Sequence, residues 1–263
     1  MRKNNNLLRS GNPALNSKAF ENFTVTQENT MTLQGTVNKT IISLMILVVC
    51  GGFTYYSANT SWVWPGIIGG FIVALVTVFK KEWSPITVPI YAVLEGLALG
   101  GISHIYANLG FMSQVDPVTG FVSQQSNNIV STAILLTVGI FFSLLFAYKS
   151  RIIKVTQNFR LGVFAATGGI AIFYMVSWVI SMFGGQVSVL DPTNGSMMSI
   201  GVSLFIVVIA SLNLVMDFDF IEEASEKGVP KYMEWYGAFG LLETLVWLYL
   251  EILRLLAKLN SRD

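Results

Sequence analysis

Apolar residues along this chain gather into seven long runs, and the short stretches between them hold most of the charged and turn-forming residues. The runs cover 40–57, 62–79, 85–107, 129–148, 161–183, 197–216 and 235–259. A helix needs about 20 apolar residues to cross the hydrocarbon of a bilayer, and each run comes close to that length. The pattern predicts an all-α polytopic membrane protein, a bundle of seven transmembrane helices over 39–263. Seven such helices take up about half the chain and leave no room for a separate soluble domain. Residues 1–38 hold eight Asn and scattered charges, with no apolar run that would serve as a signal peptide. They read as a flexible cytoplasmic tail with a short helix around 18–23.

Composition agrees with the pattern. Only 12% of the residues are charged and 53% are hydrophobic, against roughly 25% charged in a soluble domain. Trp62 and Trp64 at one edge, and Trp83 and Trp235 at the other, sit where interfacial anchors belong. A net charge of +1 speaks against a nucleic-acid partner. The one cysteine, Cys50, rules out an internal disulfide framework and reads as a buried, reduced thiol, and no Cys/His spacing suggests zinc.

The basic residues sort by side. Thirteen of the 16 lie in the N-terminal segment and in the second, fourth and sixth connections: Arg2, Lys3, Arg9, Lys18 and Lys39; Lys80 and Lys81; Lys149, Arg151, Lys154 and Arg160; Lys227 and Lys231. The first, third and fifth connections have none. By the positive-inside rule this predicts a cytoplasmic N-terminus and, with seven spans, a C-terminus on the other side of an inner (plasma) membrane. Arg254, Lys258 and Arg262 dissent. A re-entrant seventh span would bring the C-terminus back inside.

Ionisable side chains cost several kcal/mol when they face lipid, so each one inside a span is a functional candidate. Glu95 and His104 lie in the third run, Glu243, Glu251 and Arg254 in the seventh, and Asp217 and Asp219 at the end of the sixth. On a helix turning about 100° per residue, Glu243, Trp247, Glu251, Arg254 and Lys258 fall within about 80° of one another. The seventh span is thus an apolar cylinder with one polar stripe, though Glu251 and Arg254 could equally form only a local ion pair. A turn at Lys227-Gly228-Val229-Pro230 makes spans 6 and 7 a hairpin, with Gly at the helix end and Pro230 at the start of the next helix. That fold levels Asp217 with Glu243 and puts Glu251 on the order of 12 Å further out. Asp219 points about 200° away from Asp217, which itself could be a solvated helix end. Glu222, Glu223, Glu226 and Glu234 read as a charged cytoplasmic face. His104 reaches the same site as Glu95 only if the helix breaks at Gly100-Gly101. Those glycines and Gly96, like Gly66, Gly69 and Gly70, suit close helix packing.

Asp217 after Leu212-Asn213-Leu214-Val215-Met216, the acidic, glycine-containing turn, and Leu248-Tyr249-Leu250-Glu251-Ile252-Leu253-Arg254-Leu255-Leu256 together resemble the Bax inhibitor-1 family, in its bacterial YccA-like branch. Gly96-Leu97-Ala98-Leu99 is loosely similar to that family's third-span signature. The resemblance spans residues 40–259. It implies a seven-helix bundle with span 7 central, acting as a pH-sensitive calcium leak gated by two aspartates of spans 6 and 7 that share a proton. Asp217 matches the first aspartate. The second position holds no aspartate: Glu251 matches by its surroundings, Glu243 by its distance from Asp217. A basic residue at the inner end of span 2 can latch onto the pair, a role open to Lys80 or Lys81. Asp217, Glu243 and Glu251 would then be transient calcium ligands, with Glu95 continuing the path and Asp219, Arg254 and His104 supporting it. Close carboxylates titrate as a coupled pair, which suits such a gate.

Three functions therefore compete: a proton-regulated cation leak with calcium or protons as its ions, a regulator of a membrane protease or another membrane protein, and a proton-coupled transporter built on Glu95. No phosphate-binding loop, zinc His pair or nucleophilic serine motif is present, so no enzyme and no cofactor are expected.

Overall fold

The computed structural model describes residues 30–109, 114–115, 122–123 and 129–261. The short helix expected around 18–23 and most of the tail lie outside the described residues. Within them are seven α-helices: α1 (Leu33–Tyr56), α2 (Val63–Phe79), α3 (Ser84–Asn108), α4 (Ile129–Lys149), α5 (Gln157–Met182), α6 (Met197–Glu226) and α7 (Met233–Asn260). Short 3-10 turns at Thr60–Trp62, Lys81–Trp83 and Ser188–Leu190 lead into α2, α3 and α6. Gln114–Val115 and Val122–Ser123 pair as a small antiparallel ladder between α3 and α4. Six of the seven helices are long and apolar enough to span a membrane. The other, α7, carries Glu234, Glu243, Glu251, Arg254 and Lys258.

Boundaries follow capping chemistry more than hydropathy. Thr32 caps α1 by accepting from the Gly35 amide, so the helix starts at Leu33, seven residues ahead of the apolar run. Thr156 caps α5 through the Phe159 amide in the same way. Helix α6 continues ten residues past Met216 to Glu226 and ends where Gly228 takes a φ of 63°, the left-handed conformation that glycine adopts without strain. Asp217 therefore lies inside a helix, fully buried, and not at a solvated end. Pro230 does not begin α7, which starts at Met233; it pairs instead with Thr30 as an isolated bridge, and the Met31 amide donates to Val229 O at 2.7 Å.

Helix α7 is the axis. It packs on α1, α3, α4 and α6, and Leu242, Leu248 and Leu253 are wholly enclosed in one core with Leu214 and Val215 of α6. A second layer comes from glycine. The position a Cβ on Gly66 would occupy is 2.6 Å from Leu94 O, and one on Gly96 would be 2.5 Å from Leu47 O, so α2 and α1 meet α3 backbone to backbone. The outward faces of α1, α2, α4 and α5 bare Val49, Phe71, Leu135, Phe146 and Trp178. A monomer in water rarely exposes so much apolar surface, and lipid is its natural solvent.

The connections fall at two ends. Met31 meets Val229, Ser84 Oγ donates to Tyr232 O at 2.9 Å, and Arg151 pairs with Glu222, so the segments that carry the basic residues gather at one end. At the other end Lys258 of α7 donates to Val189 O at 2.6 Å. Helix α7 runs unbroken between them, without a re-entrant turn.

Candidate functional site

Three carboxylates from three helices converge on α7. Asp217 of α6 has no exposed surface, and its Oδ2 accepts from Thr244 Oγ1 of α7 at 2.6 Å. Its Oδ1 is buried without a hydrogen-bond partner. Glu243, beside Thr244, lies in electrostatic reach of Asp217, of Glu95 and Tyr91 of α3, and of Tyr236 about two turns away on the same face of α7. Glu95 Oε2 is 3.0 Å from where a Cβ on Gly70 would sit, so the small residue on α2 makes the space that the carboxylate occupies. No Lys or Arg forms an ion pair with Asp217 or Glu95 among the described residues. Of the three only Asp217 is fully buried, Glu95 and Glu243 being partly exposed, and burying a carboxylate is costly without a partner.

Tyr91 walls the cluster by packing edge-on against Phe239 at 5.0 Å. Below it, Lys81 Nζ lies 5.8 Å from the centre of the Tyr236 ring, a cation–π distance. Of the two proposed latch lysines, Lys81 is thus separated from the acidic cluster by one aromatic ring, while Lys80 caps the end of α2 and is exposed.

The structure separates Glu251 from this group. Its carboxylate accepts from Tyr174 of α5 at 2.5 Å and from Arg254 Nη1 at 3.1 Å, and Arg254 also bonds the Tyr174 hydroxyl at 2.7 Å. The i,i+3 pair on the polar stripe is therefore a buried clamp between α5 and α7. Among the described residues no three His, Cys, Asp or Glu side chains are grouped as a metal site, and the set Asp217, Glu243 and Glu251 is not assembled in this conformation. Asp219 faces the other way, paired with Arg160 of α5. His104 stays with Asn108 at 3.2 Å and stacks edge-on with Tyr55 at 5.9 Å. Because α3 is continuous through Gly100-Gly101, His104 cannot turn to the Glu95 side.

Sequence reasoning missed four groups. Thr244 is the hydrogen-bond partner of Asp217, and Tyr174 completes the Glu251 clamp. Lys258 is wholly buried and donates to Val189 O, Ser199 O and Ser203 Oγ, so it closes the far end of the bundle and is not a dissenting surface charge. Glu234 is 1% exposed and not part of a charged face. It accepts from Thr32 N and Oγ1 at 3.1 and 2.8 Å and pairs with Lys39 at 3.1 Å. The one available signal was the placement of Lys39 and Glu234 at the starts of the first and last helices, on the same side.

The sequence profile of a family described as Bax inhibitor 1 like matches residues 12–261. Comparison with curated proteins and with solved structures returned no match.

Proposed function

The chain belongs to the Bax inhibitor 1 like family, and from that premise we propose that this multi-pass membrane protein is a proton-regulated cation leak, with calcium as its ion. The observation that carries the reading is the convergence of Asp217, Glu243 and Glu95 from α6, α7 and α3, with no ion pair to Asp217 or Glu95 among the described residues. With the carboxyl of Asp217 protonated, it holds the Thr244 contact and keeps α6 on α7. When Asp217 and Glu243 are both ionised they repel each other, part the two helices and present the hard oxygen ligands that calcium takes. Glu251, held by Arg254 and Tyr174, shapes the path without contributing a free ligand. In this reading the end that holds Met31, Lys81, Arg151 and the α6–α7 turn is cytoplasmic, on the inner face of a plasma membrane.

Purified protein in liposomes tests the proposal. Calcium entry is expected to rise as pH increases, and to lose its pH dependence in Asp217→Asn combined with Glu243→Gln. Equal flux in protein-free and protein-containing vesicles at every pH overturns it.

A second reading, regulation of a membrane protease or another membrane protein, is favoured by the anchoring of the N-terminal segment on the α6–α7 turn. It requires that truncation before Thr30 abolish the effect while the buried carboxylates can be neutralised freely. A proton-coupled transporter centred on Glu95 would instead show saturable uptake of a solute driven by a pH gradient.

A further inference from the structure

Helix α1 packs on α3 and α7, and α4 packs on α6 and α7. Between α1 and α4 a crevice of about 2040 Å³ runs the height of the bundle, from Arg151 and Glu222 at one end to Asn108 and Asn260 at the other. Its walls are apolar, with Val48 and Gly52 on α1 and Val138 and Phe142 on α4, and its floor is α7 itself, where Leu245 and Tyr249 line it. It opens sideways, where the hydrocarbon of the bilayer lies, so acyl chains are the solvent at its mouth.

The two ends differ in charge. Asn108, Asn260, Ser261 and His104 line the far end, with no Lys or Arg among them, whereas Lys149 and Arg151 line the near one. Lys149 is exposed and makes no ion pair among the described residues. Arg151 gives one amino group to Glu222, at 2.8 Å, and its side chain remains 69% exposed. Its backbone holds φ at 57°, a left-handed conformation uncommon outside glycine. Two cations against one carboxylate leave the rim net positive, the character of basic pockets between transmembrane helices that take anionic lipid head groups.

We propose that this crevice is a binding site for an anionic phospholipid, its phosphate held at Lys149 and Arg151 and its chains laid between α1 and α4 on the floor of α7. The charge at one rim selects both the leaflet and the head group. Because the chains touch Leu245 and Tyr249, an occupant braces the helix that carries Glu243 and Thr244 at the neighbouring turn. The site does not depend on the leak being real, since binding is read without transport.

Native mass spectrometry of the full-length protein, with added phosphatidylglycerol or phosphatidylcholine, tests it. Wild-type protein is expected to retain phosphatidylglycerol in preference by about fivefold, the ratio expected for one net basic charge. Lys149→Gln with Arg151→Gln, both on exposed side chains, should abolish that preference while leaving the protein folded. Filling the crevice with Gly52→Leu, where a Cβ meets nothing within 4 Å, and Val138→Phe should remove both lipids. Equal retention of the two lipids by the wild type overturns the proposal. So does a preference that survives the charge substitutions, lipid retained by the filled variant, or a second copy of the chain in place of lipid.

Discussion

The hydroxyl of Thr244 and the carboxyl of Asp217 face each other across the α6–α7 contact at 2.6 Å, with the carboxyl's other oxygen left without a partner. This one bond joins Asp217, the most deeply buried acid among the described residues, to the helix around which the bundle is built. It sits beside Glu243, so anything that changes the charge of the pair is felt first at the interface between the last two helices.

Removing the donor should cost more than removing the charge. Thr244→Val keeps the shape and strands the buried carboxyl, with an expected loss of about 1–3 kcal/mol. Asp217→Asn keeps an acceptor for the hydroxyl and should lose less. Thermal melting of both variants in one detergent checks the order, and equal or reversed losses would overturn it.

The Glu251–Arg254 pair is enclosed, with side chains 3% and 22% exposed. Breaking such a pair from one side leaves an uncompensated charge, at a cost of about 3–5 kcal/mol. Glu251→Leu and Arg254→Leu should each destabilise strongly, and the double substitution less than the sum of the two. A double-mutant cycle on the melting midpoints reads the coupling directly.

At the opposite end of α7, Glu234→Ala removes the acceptor of the Thr32 amide and hydroxyl and the partner of Lys39. Hydrogen exchange at the amides of residues 31–36 should rise by at least tenfold, as expected for a loss of about 1.4 kcal/mol or more in local opening. Glu234→Gln keeps the acceptor and should give a smaller increase.

Gly66 leaves α2 no room for a side chain, since a Cβ there would lie 2.6 Å from Leu94 O and 2.8 Å from the Ala98 side chain. Gly66→Leu should separate α2 from α3 and lower the melting temperature, by an overpacking cost of about 1–3 kcal/mol. Gly168→Leu on α5, where nothing lies within 4 Å, should leave it unchanged.

Seven apolar runs made the number and order of the helices legible, and the i,i+3 spacing of Glu251 and Arg254 made their pairing legible too. The end of α6 was not, because hydropathy stops at Met216 while the backbone goes on hydrogen-bonding to Glu226 against α7. Thr244 was hidden for another reason. A threonine in an apolar helix usually bonds its own backbone four residues back, as Thr40, Thr77 and Thr137 do here. Nothing local marks which of them also reach a neighbouring helix, as Thr77 does to Thr87 and Thr244 to Asp217. The partnerships of Tyr174 with Glu251 and of Lys258 with Val189 join residues 77 and 69 positions apart, and such pairings depend on how the helices rotate against each other.

The clasp of Thr32 on Glu234 spans 202 positions, which gives it a place in time as well as in space. At roughly 5–20 residues per second of synthesis, the first helix waits on the order of 10–40 s before the residue that secures its start exists. During that interval α1 is held mainly by its packing on α3, and a chain stopped before α7 never closes the ring between its first and last helices. The clasp thus forms only after the last helix has begun to be made.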